Sequence, residues 1–119
     1  RPIQVLKRSG AVEDFNRGKL LRSVKVACAK RPISASQMEA LVDDIEDMLS
    51  AQVGIEILSL KLGTLVMERL SPMDRVAYVR FASVYRNFQD AGEFQEFVDE
   101  ITAAQEREEL QRNQVELPF

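Results

Sequence analysis

Histidine and tryptophan are absent from this 119-residue sequence, and cysteine occurs once, at Cys28. One thiol cannot form an intrachain disulfide. It also cannot close a structural zinc site, which needs about four Cys or His ligands. Without histidine the common nucleophile–base pairs are missing. The five glycines fit neither G-x-x-x-x-G-K-[ST] nor G-x-G-x-x-G. Carboxylates are plentiful, but number alone supplies no tuned acid/base pair. These absences exclude the usual enzyme classes, and no catalytic residue is assigned. No apolar run approaches the roughly 18 residues of a membrane span, and no signal peptide is visible. A reducing, cytoplasmic setting without a membrane partner fits.

What is present is an ordinary globular composition, 45% hydrophobic and 29% charged. The length suits one domain, large enough to bury about two-thirds of its unfolded surface. The net charge of −3 is unevenly spread. Residues 1–31 carry nine Lys/Arg and two acids, whereas residues 89–119 carry two Lys/Arg and nine acids. The total argues against these residues alone gripping DNA by counterion release. The basic front suits a compact polyphosphate or the acidic tail of a neighbour. The opening Arg1-Pro2, without methionine, suggests residues upstream.

Ile3 and Val5 alternate with polar neighbours, Ser9-Gly10 is a turn signal, and Val12 and Phe15 suit a second strand. Asn16 is a good N-cap for a helix with Leu20, Leu21, Val24 and Cys28 on one stripe. That stripe makes Cys28 a small core hydrophobe rather than a nucleophile. Lys30-Arg31-Pro32 ends the helix. Ser34-x-x-Gln37 and Ser36-x-x-Glu39 are alternative capping boxes for the next one. Met38, Leu41, Val42, Ile45, Met48 and Leu49 make it the cleanest amphipathic helix, with a solvated acidic face at Asp43, Asp44, Glu46 and Asp47.

After Gly54, Ile55-Glu56-Ile57 alternates as a third strand. Ser59 is expected to cap a third helix with Leu62, Leu65 and Val66 inward. Ser71-Pro72 separates it from a fourth helix, about Asp74 to Phe88, with an aromatic stripe of Tyr78, Phe81, Tyr85 and Phe88. Asp90-Ala91-Gly92 precedes a fifth helix running toward Arg112. Its half from Gln105 to Gln114 is polar nearly all round, and so projects into solvent or leans on a partner.

The chemistry concentrates between Val5 and Leu20. A hairpin folded onto a helix N-terminus gathers Lys7, Arg8 and Lys19 around one carboxylate, Glu13. Terminal N–H groups and nearby cations favour an anion. Backbone groups of a strand edge at Val5 suit an adenine edge, and Glu13 suits an exocyclic amine or a ribose hydroxyl. The pattern fits a nucleotide triphosphate bound for regulation, although hairpins with three cations are common on soluble surfaces.

The runs Val5-Leu6-Lys7-Arg8-Ser9-Gly10, Glu13-Asp14-Phe15-Asn16 and Lys19-Leu20 resemble the opening of an ATP-cone, the regulatory nucleotide-binding domain of many ribonucleotide reductases. Lys30-Arg31-Pro32-Ile33-Ser34, Leu65-Val66-Met67-Glu68-Arg69-Leu70 and the run from Val76 to Phe88 narrow the resemblance to the NrdR family, bacterial repressors of ribonucleotide reductase genes. It covers about residues 3–100. It implies a mainly helical α+β fold, a helical bundle capped by a small three-stranded sheet, plus a C-terminal helix. The expected division is a cone at residues 1–100 and a helical tail at 101–119, the tail after Ile101 carrying no family signal.

The resemblance also implies ATP and dATP as allosteric ligands that change the assembly of a homo-oligomer. By matched position it implies nucleotide contacts from Val5, Lys7, Arg8, Glu13, Lys19 and Tyr85, with Lys30 and Arg31 as further candidates near the phosphates. Two departures stand out: Ser9 where an acid is usual and Leu58 where proline is usual. Family members carry an N-terminal four-cysteine zinc ribbon that contacts DNA. This sequence begins where that ribbon would end, so zinc and DNA contact are expected only of such a segment. Two alternatives stay open: the allosteric cone of a reductase large subunit, and a helical interaction module without ligand. The Pro118-Phe119 ending reads as a terminus and favours the repressor.

Overall fold

The Ser9-Gly10 signal closes a hairpin. Gly10 takes φ 92°, its N–H donates to Lys7 O at 2.9 Å, and the Lys7 N–H donates to Ala11 O at 2.8 Å. A positive φ of this size is cheap for glycine alone. The computed structural model, which describes residues 3–52, 54–86 and 90–116, pairs β1 (Gln4–Leu6) antiparallel with β2 (Val12–Asp14). β3 (Glu56–Leu58) runs parallel to β1, one residue later than the expected Ile55-Glu56-Ile57. A parallel neighbour requires a crossover, and two helices supply it.

The strand order is β2-β1-β3. Val5 stands opposite Glu13 on one side and Ile57 on the other. Side chains alternate between faces, and Ile57 is buried while Leu58 is 55% exposed. The row Glu13, Val5, Ile57 therefore faces the helices.

Four helices follow: α1 (Arg17–Ala27), α2 (Ala35–Ser50), α3 (Ser59–Leu70) and α4 (Arg75–Tyr85). α1 packs on α2 and α4, and α3 packs on the same two, so the ring closes. At its centre Val24, Val42, Ile45, Val66, Leu70 and Phe81 are fully buried. Cys28 is buried too, and burial pushes its thiol pKa up, as a core residue and not a nucleophile requires. The α2 acids are less idle than expected: Asp43 binds Arg17 of α1 at 2.6 Å, and Asp44 binds Arg69 of α3 at 2.7 Å.

Caps set the helix starts. Asn16 Oδ1 accepts from Lys19 N at 3.0 Å, and Asp74 Oδ1 from Ala77 N at 2.9 Å. Of the two capping boxes, Ser34 with Gln37 is the one formed. Ser59 does not cap α3. It is the first helical residue, and the N-cap is Leu58, whose side chain offers no hydrogen bond. α4 ends at Tyr85. Phe88, the last of the expected stripe, lies outside the described residues, as do Arg1, Pro2, Pro118 and Phe119.

Two compact units divide the chain, residues 1–87 and residues 88–119. The second unit contains α5 (Ala91–Glu116), which extends beyond Arg112 and starts where Asp90 Oδ1 accepts from Glu93 N at 2.9 Å. Among the described residues, no helix is long and apolar enough to cross a membrane, and no three His, Cys, Asp or Glu side chains gather as a metal site would need.

Candidate functional site

A cavity of about 490 Å³ lies between the sheet and the helix ring, within the range of small-molecule sites. β1 and its turn contribute Val5, Lys7 and Arg8. β2 and the start of α1 contribute Glu13, Asn16 and Lys19. The first half of α3 contributes Ser59, Leu60 and Gly63, and the end of α4 contributes Val84 and Tyr85.

Two helix N-termini thus reach one cavity. The start of α1 is capped by Asn16. That of α3 carries no side-chain cap, so its first N–H groups keep their capacity for an outside acceptor. The positive end of each helix dipole adds to three cationic side chains.

Glu13 sits among those cations. Lys7 Nζ lies 2.9 Å from Glu13 Oε1, and Lys19 Nζ lies 3.4 Å from Glu13 Oε2. The hydrogen bond from Lys7 does most to hold the Glu13 pKa below the usual carboxylate range. Desolvation opposes it and Lys19 reinforces it. One carboxylate thus holds two ammonium groups at the cavity wall. All three side chains are partly exposed, so both lysines can turn to a stronger anion without breaking the fold.

Tyr85 forms the opposite wall. Its ring stacks on Phe81, with centroids 4.2 Å apart and planes 5° apart. Its backbone carbonyl accepts from Arg8 Nη2, tying the hairpin turn to α4. The ring also lies over α3 at Gly63, where a Cβ would meet Tyr85 Cδ1 at 3.1 Å. A side chain at Gly63 would therefore need the Tyr85 ring to give way by a few tenths of an ångström. With Val5, Phe15, Leu20 and Leu62 also lining the cavity, an apolar half faces a cationic half.

Six of the eight candidates named from sequence, Val5, Lys7, Arg8, Glu13, Lys19 and Tyr85, line this cavity. Lys30 and Arg31 do not. They follow the far end of α1, an eleven-residue helix whose ends lie about 16 Å apart at 1.5 Å per residue. Arg31 Nε instead donates to Asp74 Oδ2 at 2.9 Å, and Lys30 holds a turn with φ 60°. Val5 lies on the central strand, not on an edge, so its backbone is flanked on both sides and its side chain is what the cavity meets.

Sequence reasoning missed the α3 wall of Ser59, Leu60 and Gly63. The available signal was Gly63 itself, since glycine inside an amphipathic helix calls for a packing reason.

The ATP cone domain family model matches residues 3–91. The transcriptional repressor NrdR of Opitutus terrae is 49% identical over 106 residues, covering 89% of this chain and 68% of that protein. The protein of the same name from Lactobacillus johnsonii is 45% identical, with 90% and 70% covered. That of Synechococcus sp. strain JA-2-3B'a(2-13) is 49% identical over 100 residues, and the chain spans just over half its length, 54%.

Proposed function

Because the chain belongs to the NrdR family of transcriptional repressors and carries its ATP-cone domain, we propose that it is the nucleotide-sensing part of a bacterial repressor of ribonucleotide reductase genes. The observation that carries this reading is the cavity in which three cations and two helix N-termini face an apolar wall. A triphosphate matches the cationic half, and a purine matches the apolar half beside Tyr85. The ligands are ATP and dATP.

Lys7 and Lys19 leave Glu13 for phosphate oxygens, and Arg8 adds a third charge-assisted donor. Glu13, freed of its cations, accepts from a nucleotide N–H or O–H. The chain's role is regulatory and not catalytic, in keeping with relatives named as repressors. Occupancy matters because the filled cavity suits one homo-oligomeric assembly better than another; a ligand with equal affinity for both would shift nothing. We assign zinc and DNA contact to a ribbon outside these 119 residues, since Cys28 is single and buried. The setting is cytoplasmic.

Titration calorimetry with ATP, dATP and inorganic tripolyphosphate tests the reading. Both nucleotides should bind and tripolyphosphate should bind less well. Lys7→Ala with Lys19→Ala should weaken nucleotide binding at least tenfold, as the loss of one charge-assisted bond of about 1.5–3 kcal/mol implies. Absence of heat at millimolar nucleotide overturns the proposal. Equal affinity for tripolyphosphate overturns the purine half.

A further inference from the structure

Charge asymmetry between the two ends of the chain is left unused by the nucleotide cavity, and two exposed helix faces carry it. On α1, Val26 is 74% exposed, with Arg22 four residues before it and Lys25 one before. On α5, Leu110 is 64% exposed, with Glu106 four residues before it and Glu109 one before. The two triplets have the same i, i+3, i+4 spacing, which places each on one helix face. Their charges are of opposite sign. No side chain of Arg22, Lys25, Glu106 or Glu109 makes a hydrogen bond or ion pair among the described residues. Within α5, Leu110 and Glu106 lie on the side opposite Phe97 and Ile101, by 100° per residue.

We propose that the Arg22, Lys25, Val26 face of α1 docks the Glu106, Glu109, Leu110 face of α5 from a second copy of this chain. Val26 meets Leu110, and each flanking carboxylate meets a cation. The two faces carry charge of opposite sign around one exposed apolar side chain each, and complementary charge favours and orients such an encounter. A nucleic acid would also meet the cations, but a phosphate backbone gives Val26 no partner. Leu110 supplies one, on a segment with nine acids against two Lys/Arg. Each copy carries one face of each kind, so the contact can be repeated from copy to copy. It requires no nucleotide and is separate from the cavity reading.

Sedimentation velocity on the full chain and two charge-reversed variants tests this. The first variant carries Arg22→Glu and Lys25→Glu, the second Glu106→Lys and Glu109→Lys. Each alone should lose at least tenfold in self-association at about 0.05 M salt, where the Debye length exceeds 10 Å. An equimolar mixture should restore association, because every α1–α5 contact between unlike variants then joins opposite charges. At about 1 M salt the restored species should fall apart, since screening then acts within about 3 Å.

Failure of the mixture to associate overturns the proposal. So does an α1 variant that loses affinity for duplex DNA while its self-association is untouched, which would make the basic face a phosphate surface. If circular dichroism shows a reversed variant unfolded, Val26→Ser and Leu110→Ser carry the test. Unchanged association in both overturns the docking.

Discussion

Single side chains decide how this cavity is built. The Tyr85 ring packs against α3 at Gly63, 3.1 Å from where a Cβ would stand. Gly63→Ala should therefore shift Tyr85 and weaken nucleotide binding several-fold, while helix α3 gains about 1 kcal/mol of propensity. Calorimetry and a melting curve on one sample separate the two effects. Lys30 shows the converse, a non-glycine residue held at φ 60°. Lys30→Gly should stabilise the fold by about 1 kcal/mol, raising Tm by roughly 4–8 °C. Nucleotide affinity should stay unchanged, because Lys30 does not line the cavity.

At the scale of elements, caps and cross-links set where helices start and which loops they hold. Asp74 caps α4 through Ala77 N and takes the Arg31 guanidinium from the loop after α1. Burial pushes the Asp74 pKa up, but the Ala77 N–H and Arg31 outweigh it and leave the group below its ordinary value. The folded state then binds fewer protons than the unfolded one around pH 4. Its contribution to stability is present above the unfolded value and is lost as pH falls through the folded value. Asp74→Asn should lower stability at pH 7 and flatten the acid limb of a stability–pH curve measured by urea unfolding. Ser34→Ala removes one half of a capping box and should cost about 1 kcal/mol. α3, with no side-chain cap at Leu58, is the helix whose start owes most to the strand before it.

For the whole molecule, the closed ring of α1 to α4 supports the cavity through Phe81. That residue is fully buried in the core and stacks on Tyr85. Phe81→Ala should cost about 3–5 kcal/mol and also release Tyr85, so thermal stability and nucleotide affinity should fall together. In the intact protein, nucleotide at a hundred times its Kd should add about 2.7 kcal/mol, read as a rise in Tm; a tenfold loss of affinity in the Lys7→Ala and Lys19→Ala pair should cut this to about 1.4 kcal/mol at the same concentration.

Much of this was legible along the chain because it depends on neighbours. The turn at Gly10, the Asn16 cap and the helical stripes of α1 and α2 are local patterns of spacing and backbone preference. The cluster of Lys7, Arg8, Glu13 and Lys19 could be read as well, since one hairpin and one helix start hold all four. Contacts between distant segments could not. A parallel β3 puts Val5 mid-sheet and closes off its backbone. The length of α1 carries Lys30 and Arg31 to the far end from the cavity that Lys7, Arg8 and Lys19 line. Gly63 and Tyr85 meet only because α3 and α4 pack side by side. Periodicity tells a helix which face to bury but does not name its partner. That choice belongs to the packing of the ring, and with it the far wall of the cavity.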